Sequence, residues 1–278
     1  MSAPALPRRV AAVRLHWRST LALAVATVVG LVGFGWPFLA QPSSAASGLA
    51  HRGDAPYLFV ALLLLLLAVV LAEVADGGID VKAVAVLGVL AASGAVLRPL
   101  GGGVTGFTAV FFLLIPAGRV LGAGFGFVLG ALTMFAGALL TGGVGPWLPY
   151  QMLGAAWVGF GAGLLPGRVR GRAELALLAG YGVVAGLAYG LLLNLWFWPF
   201  GLFGMGAGSA SPSFVPGDPV LANLHRYAAF YLATSLGFDV PRAIANVALV
   251  LVAGRPVLAA LRRAARRAAF DAPVEFVR

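Results

Sequence analysis

Long apolar runs, separated by short polar or basic breaks, dominate this chain. The first extends from about Thr20 to Ala40 and the second from Tyr57 to Ala75, with leucine at every position from 62 to 67. Asp76-Gly-Gly-Ile-Asp80 interrupts the pattern. Further runs follow at Ala83–Leu97, Thr105–Gly118, Val120–Leu140, Tyr150–Leu165, Ala173–Phe197 and Pro241–Leu261. Each predicts a membrane-spanning helix, because about 20 apolar residues cross a ~30 Å hydrocarbon core. Ala83–Leu97 is short, reaching only ~22 Å at 1.5 Å per residue. Asp239, just ahead of the last run, is placed to cap it.

Leu221–Leu236 is also apolar but carries His225 and Arg226. If it crossed the membrane, the tail bearing Arg262, Arg263, Arg266 and Arg267 would lie outside. Leaving it out gives eight spans. Both termini, Arg119 and the Arg168–Arg172 turn then share one side, as the positive-inside rule favours. Leu221–Leu236 is therefore expected to be an outer interfacial or re-entrant helix ended by Gly237. The N-terminal run with its basic flank also has the outline of a signal peptide, with Ser44-Ala45-Ala46 as a small-residue cleavage site. It is longer than a usual signal core and is read as an uncleaved span.

Composition agrees with the pattern. Of 278 residues 61% are hydrophobic and 10% charged, against about 25% charged in soluble domains. The formal net charge is +10. The arginines cluster at the ends of apolar runs, which points to anionic lipid headgroups rather than nucleic acid. The absence of cysteine excludes disulfides and thiolate metal sites.

Little catalytic chemistry is written here. There is no Walker A sequence, no Gly-x-Ser-x-Gly, no His-Glu-x-x-His and no paired carboxylates. Ionisable residues are nearly absent from span centres, which disfavours an ion-coupled carrier or an intramembrane hydrolase. No cofactor or metal is implied. Glycine stripes at 118, 122, 126 and 130, and at 182, 186 and 190, suit close helix packing. Gly88/Ala92 and Ala91/Ala95 form small-residue pairs on the third span, suited to packing within the fold or to docking another subunit.

Thr141-Gly-Gly-Val-Gly-Pro-Trp-Leu-Pro-Tyr-Gln-Met152 lies between two spans and is too rich in glycine and proline for ordinary helix. Irregular backbone at such depth needs protein or a water-filled cavity around it. With it goes a polar-aromatic rim: Arg98, Trp147, Tyr150, Gln151, Asn194, Trp196, Trp198, Tyr227, Tyr231 and Asn246. Its tryptophans and tyrosines also suit an aromatic belt at the interface. Gln151 and Asn194 are not belt residues and need a partner, either a neighbouring helix or a ligand.

Gly118-Arg-Val-Leu-Gly, Gly124-Phe-Gly-Phe-Val-Leu-Gly-Ala-Leu and above all Thr141–Met152 resemble the substrate-binding S components of energy-coupling factor (ECF) transporters, particularly the actinobacterial kind. Asn194-Leu-Trp-Phe-Trp-Pro-Phe and Phe230-Tyr-Leu-Ala-Thr-Ser add to the likeness, which covers about residues 83–262. The resemblance implies an all-α polytopic membrane protein whose six-helix core occupies 81–262. Two extra spans (20–80) precede it, and basic cytoplasmic tails lie at 1–19 and 263–278. It also implies capture of a vitamin-type substrate at the outer side, cobalamin-like given how few charges the rim carries, by Arg98, Trp147, Tyr150, Gln151, Asn194, Trp196, Tyr231 and Asn246. The glycines at 101–103 and 142–145 would let the outer loops close as lids. An energy-coupling transmembrane subunit, driven by two separate ATPases, would dock on the small-residue face of Gly88, Ala91, Ala92 and Ala95, with Ala91/Ala95 the better fit. A membrane scaffold and a self-sufficient facilitator are the alternatives.

Overall fold

A computed structural model describes residues 17–39, 81–99, 108–145, 147–201, 212–215 and 217–268, with isolated positions between 57 and 68. The Ser44–Ala46 motif, most of the second span, Gly101–Gly103 and both extreme tails lie outside the described residues. All regular structure among the described residues is helical. The helices are α1 (Trp17–Leu39), α2 (Val81–Leu97), α3 (Val110–Leu121), α4 (Ala123–Thr141), α5 (Leu148–Leu164), α6 (Gly171–Gly201), α7 (Val220–Phe230) and α8 (Leu236–Ala268). Ala123–Thr141, Gly171–Trp196 and Val220–Arg267 are long and apolar enough to cross a membrane. Thr20–Gly35, Lys82–Leu97 and Val110–Leu121 are shorter apolar helices.

The helix boundaries correct three expectations. Thr141, Tyr150, Gln151 and Met152 are helical rather than loop, because α4 runs on to Thr141 and α5 already begins at Leu148 with Pro149 in its first turn. Proline is tolerated there, since the first-turn N–H groups have no partner within the helix. The first glycine stripe does not run along one helix. Gly122, at φ 103°, is a single-residue joint between α3 and α4, a conformation open mainly to glycine. Lastly, Gly237 and Pro241 do not break the chain. α7 passes through a π-helical turn, Tyr231–Ser235, straight into α8. Leu221–Leu236 is therefore the beginning of one continuous helical segment rather than a separate interfacial helix. Asp239 is inside the first turn of α8, buried, and paired with Arg242 instead of serving as a cap.

Glycine brings the core helices together. A Cβ on Gly126 would lie 2.2 Å from the Gly159 carbonyl oxygen, and one on Gly130 would lie 2.3 Å from that of Ala155. The α4–α5 seam is thus backbone against backbone, with Phe125, Val128, Leu129 and Leu153 fully buried around it. The stripe on α6 makes room for side chains of α8. Gly182 faces Asn246, Gly186 faces Ala243, and Gly190 faces the carboxylate of Asp239. In lipid, such packing replaces the hydrophobic drive that water supplies to soluble bundles.

α2, α3, α4, α5, α6 and α8 alternate in direction and so define two ends. At one end the chain turns at Gly122, just after Arg119, and at residues 165–171, and the last turns of α8 bring in Arg262. Here Arg119 is buried rather than solvated. Its Nε lies 2.9 Å from Glu174 Oε1, and its terminal nitrogens donate to the Leu165 and Val169 carbonyls, each at 2.9 Å. Arg262 meets the other oxygen of Glu174 at 2.7 Å. One carboxylate thus joins the end of α3, the start of α6 and the end of α8. The opposite end holds Arg98, Gln151, Asn194 and Asp239.

α1 lies against α5 and α6 on the outside of this bundle. Trp157 donates to Thr27 at 3.2 Å, and Phe34 is buried edge-on against Tyr150 with ring centres 5.0 Å apart. A small aromatic cluster of Trp198, Tyr227 and Phe230, with Phe38 and Phe214 against it, ties the end of α1 to α6 and α7. Trp198 and Tyr227 are therefore core residues rather than members of an interfacial belt.

Candidate functional site

A cavity of about 470 Å³ opens between α2, α4, α5, α6 and α8, within the usual ~300–1,000 Å³ of small-molecule sites. It is placed by helix ends. Arg98 sits in the turn after α2 and reaches across to α4 and α5, donating to the Met134 carbonyl at 3.0 Å and to Gln151 Oε1 at 2.8 Å. Gln151 comes from the first turn of α5. Asn194, one step beyond the α6 glycine stripe, donates to the Gly190 carbonyl at 2.8 Å. Burial lowers the pKa of Arg98, with Tyr189 acting in the opposite sense. Arginine starts so high that the group stays cationic.

Three of the side chains expected at the site, Arg98, Gln151 and Asn194, therefore share one cavity wall. The others lie elsewhere. Trp147 is 42% exposed and donates to the Gly143 carbonyl at 3.2 Å. Tyr150 points to the α1 side of α5, buried between Phe34 and Trp196, with the Trp196 ring centre 5.1 Å away. Tyr231 lies outside the wall and donates to the Leu187 carbonyl at 3.5 Å. Asn246 is fully buried between α6 and α8, where it bonds the Gly182 carbonyl at 3.1 Å. Of the small-residue pairs on α2, Ala91 and Ala95 are buried on the inner face of the helix, where the Ala95 backbone meets Gly137 of α4. Gly88 and Ala92 are exposed.

The cavity also contains groups that sequence reading passed over. Asp239 and Arg242 line it as an ion pair, with Tyr189 and Ser235 beside them. The Arg242 guanidinium carbon stands 5.4 Å from the centre of the Tyr189 ring, within cation–π range. Two acids are therefore buried at the ends of the bundle, since Asp239 and Glu174 are both only 1% exposed. The available signal was a carboxylate and a guanidinium three residues apart, one helical turn, ahead of an apolar run. The intervening Pro241 made that turn look like a helix boundary. π-Helical turns frequently accompany functional sites, and the one at Tyr231–Ser235 directly precedes this pair.

A cavity with polar walls, set in an apolar helical bundle, defines a membrane-embedded small-molecule binding protein. The family described as "ECF transporter, substrate-specific component" matches residues 82–254, more than half of the chain. The chain belongs to that family. It is a substrate-specific subunit of an uptake transporter and a multi-pass protein of the plasma membrane, working with a small-molecule substrate and an ECF module. No curated protein and no solved structure matches it. The match begins at residue 82, so α1 lies outside the matched region.

Proposed function

We propose that this subunit captures a vitamin-type molecule from the outer side of the membrane in the cavity formed by Arg98, Gln151 and Asn194. A separate ATP-driven module then carries the substrate inward. The observation that carries this reading is the convergence of three polar side chains, distant in sequence, on one cavity opposite the arginine-rich end. The positive-inside rule puts that arginine end, and with it both termini, in the cytoplasm. Driving force must come from partners, because a ligand shifts an equilibrium only by its differential affinity for two states. The exposed Gly88/Ala92 face of α2 supports docking of the energy-coupling transmembrane subunit there.

The substrate expectation changes. A cobalamin-like compound was favoured for a rim poor in charge, but the wall carries Arg98, Asp239 and Arg242. Both the charges and the 470 Å³ volume favour a smaller, polar vitamin over a corrinoid. The test is mass spectrometry of small molecules retained by the purified protein, compared between the wild type and Gln151→Ala and Asn194→Ala variants that still fold. Loss of one and the same compound from both variants is expected. Equal retention by all three proteins would sink the assignment.

A further inference from the structure

We infer that the ligand of this cavity is amphoteric, offering an anionic group to Arg98 and a hydrogen-bond donor to Asp239. The inference rests on the proposal that this cavity is the substrate site. Asp239 is 1% exposed and lines the cavity. Its Oδ1 receives Arg242, but among the described residues its buried Oδ2 accepts no hydrogen bond. The Tyr231 hydroxyl interacts with this carboxylate but is oriented toward the Leu187 carbonyl at 3.5 Å, which leaves Oδ2 without a well-formed hydrogen bond. A buried carboxylate oxygen left without a donor is costly. The chain nevertheless makes space for it, since a Cβ at Gly190 would lie 1.9–2.1 Å from the carboxylate atoms. A donor arriving with the ligand completes the group.

Charge supplies the second half. The cavity wall carries two guanidinium groups, Arg98 and Arg242, against the one carboxylate of Asp239. Arg242 Nε is buried without an acceptor. Arg98 has five N–H donors, and two of its nitrogens are engaged by Met134 and Gln151, so N–H groups remain for an anion. Among the described residues one positive charge stays uncompensated at the wall, and an anionic ligand neutralises it. Carboxylate and phosphate share this chemistry. Asp239 then excludes purely anionic competitors, because one lacking a donor leaves Oδ2 unmet and brings like charges together.

The test uses the full-length protein in detergent and four bicyclic probes: pterin carboxylic acid (donor and anion), pterin (donor only), naphthoate (anion only) and methyl naphthoate (neither). Ligand-induced thermal stabilisation is the readout. Pterin carboxylic acid is expected to stabilise the wild type most. Asp239→Asn and Arg98→Gln are each expected to weaken its binding roughly tenfold to a hundredfold, as for loss of a hydrogen bond to a charged partner. Stabilisation by naphthoate or by pterin equal to that by the acid overturns the inference, as does none by any probe. If Asp239→Asn does not fold, Arg98→Gln decides the anionic half, and the wild-type preference for the acid over naphthoate decides the donor half. Gln151→Ala separates the two levels. If it leaves binding of the acid intact, the site itself is misplaced. If it abolishes binding while Asp239→Asn and Arg98→Gln do not, only the amphoteric reading falls.

Discussion

At the scale of single residues, the polar groups divide into those that hold helices and those that face the cavity. Glu174 belongs to the first kind, with a side chain 2% exposed and two arginine partners. Breaking a buried ion pair by removing one partner costs about 3–5 kcal/mol. Glu174→Gln should therefore lower the thermal midpoint in detergent clearly, whereas Arg168→Gln, at an exposed position, should leave it unchanged. Trp147 is the opposite case, a conspicuous residue that faces away from the cavity. Trp147→Ala should retain the bound small molecule that Gln151→Ala loses, as read by mass spectrometry of the purified proteins.

That Arg98, Gln151 and Asn194 need partners was legible, because a polar group in or beside an apolar run must have one, and sequence exposes the run. That Tyr150, Trp196, Tyr231 and Asn246 do not line this cavity was not legible, for a different reason. When a helix is apolar all round, its sequence does not fix its rotation about its own axis. Tyr150 and Gln151 are neighbours in sequence, yet one faces α1 and the other faces the cavity.

At the scale of elements, glycine determines which helices meet and at what distance. Gly190 stands against Asp239, whereas a Cβ on Gly180 would meet nothing within 4 Å. Gly190→Ala should displace the Asp239 carboxylate and cost about 1–3 kcal/mol, the usual range for overpacking. It should also reduce ligand-induced stabilisation. Gly180→Ala should do neither, and thermal unfolding with and without ligand reads both effects. The element boundaries that sequence missed share one origin. Gly237 and Pro241 weaken a helix locally, but packing of α8 along the α6 glycine stripe overrides that preference. The π-helical turn leaves no mark in the hydrophobic pattern. The same limit applied to α2, where small residues lie on more than one face and periodicity alone did not say which face is inside.

At the scale of the whole molecule, the alternating helices place a ligand cavity and an arginine cluster at opposite ends, with the exposed Gly88/Ala92 face along one side. If that face receives the energy-coupling subunit, Ala92→Trp should abolish uptake in cells while the purified protein still binds its ligand. Ala91→Trp should instead harm folding, because Ala91 is buried. Uptake and thermal midpoint measured on the same pair of variants separate the two outcomes. The all-helical fold, its basic end and its family were legible from hydropathy, arginine placement and the Thr141–Met152 stretch. The packing of α1 on α5 and α6 was not, because it depends on side-chain fit between Phe34, Tyr150, Leu153 and Trp157.

The shared carboxylate of Glu174 also bears on how the chain is made. Its first partner, Arg119, lies 55 residues earlier and is synthesised before it, while its second, Arg262, lies 88 residues later. Until the last turns of α8 are made, Glu174 has Arg119 as its one arginine partner, and Arg119 also holds the Leu165 and Val169 carbonyls. The emergence of the last helix completes the bridge. A chain cut short before Arg262 would therefore leave the buried Glu174 carboxylate with one of its two arginine partners.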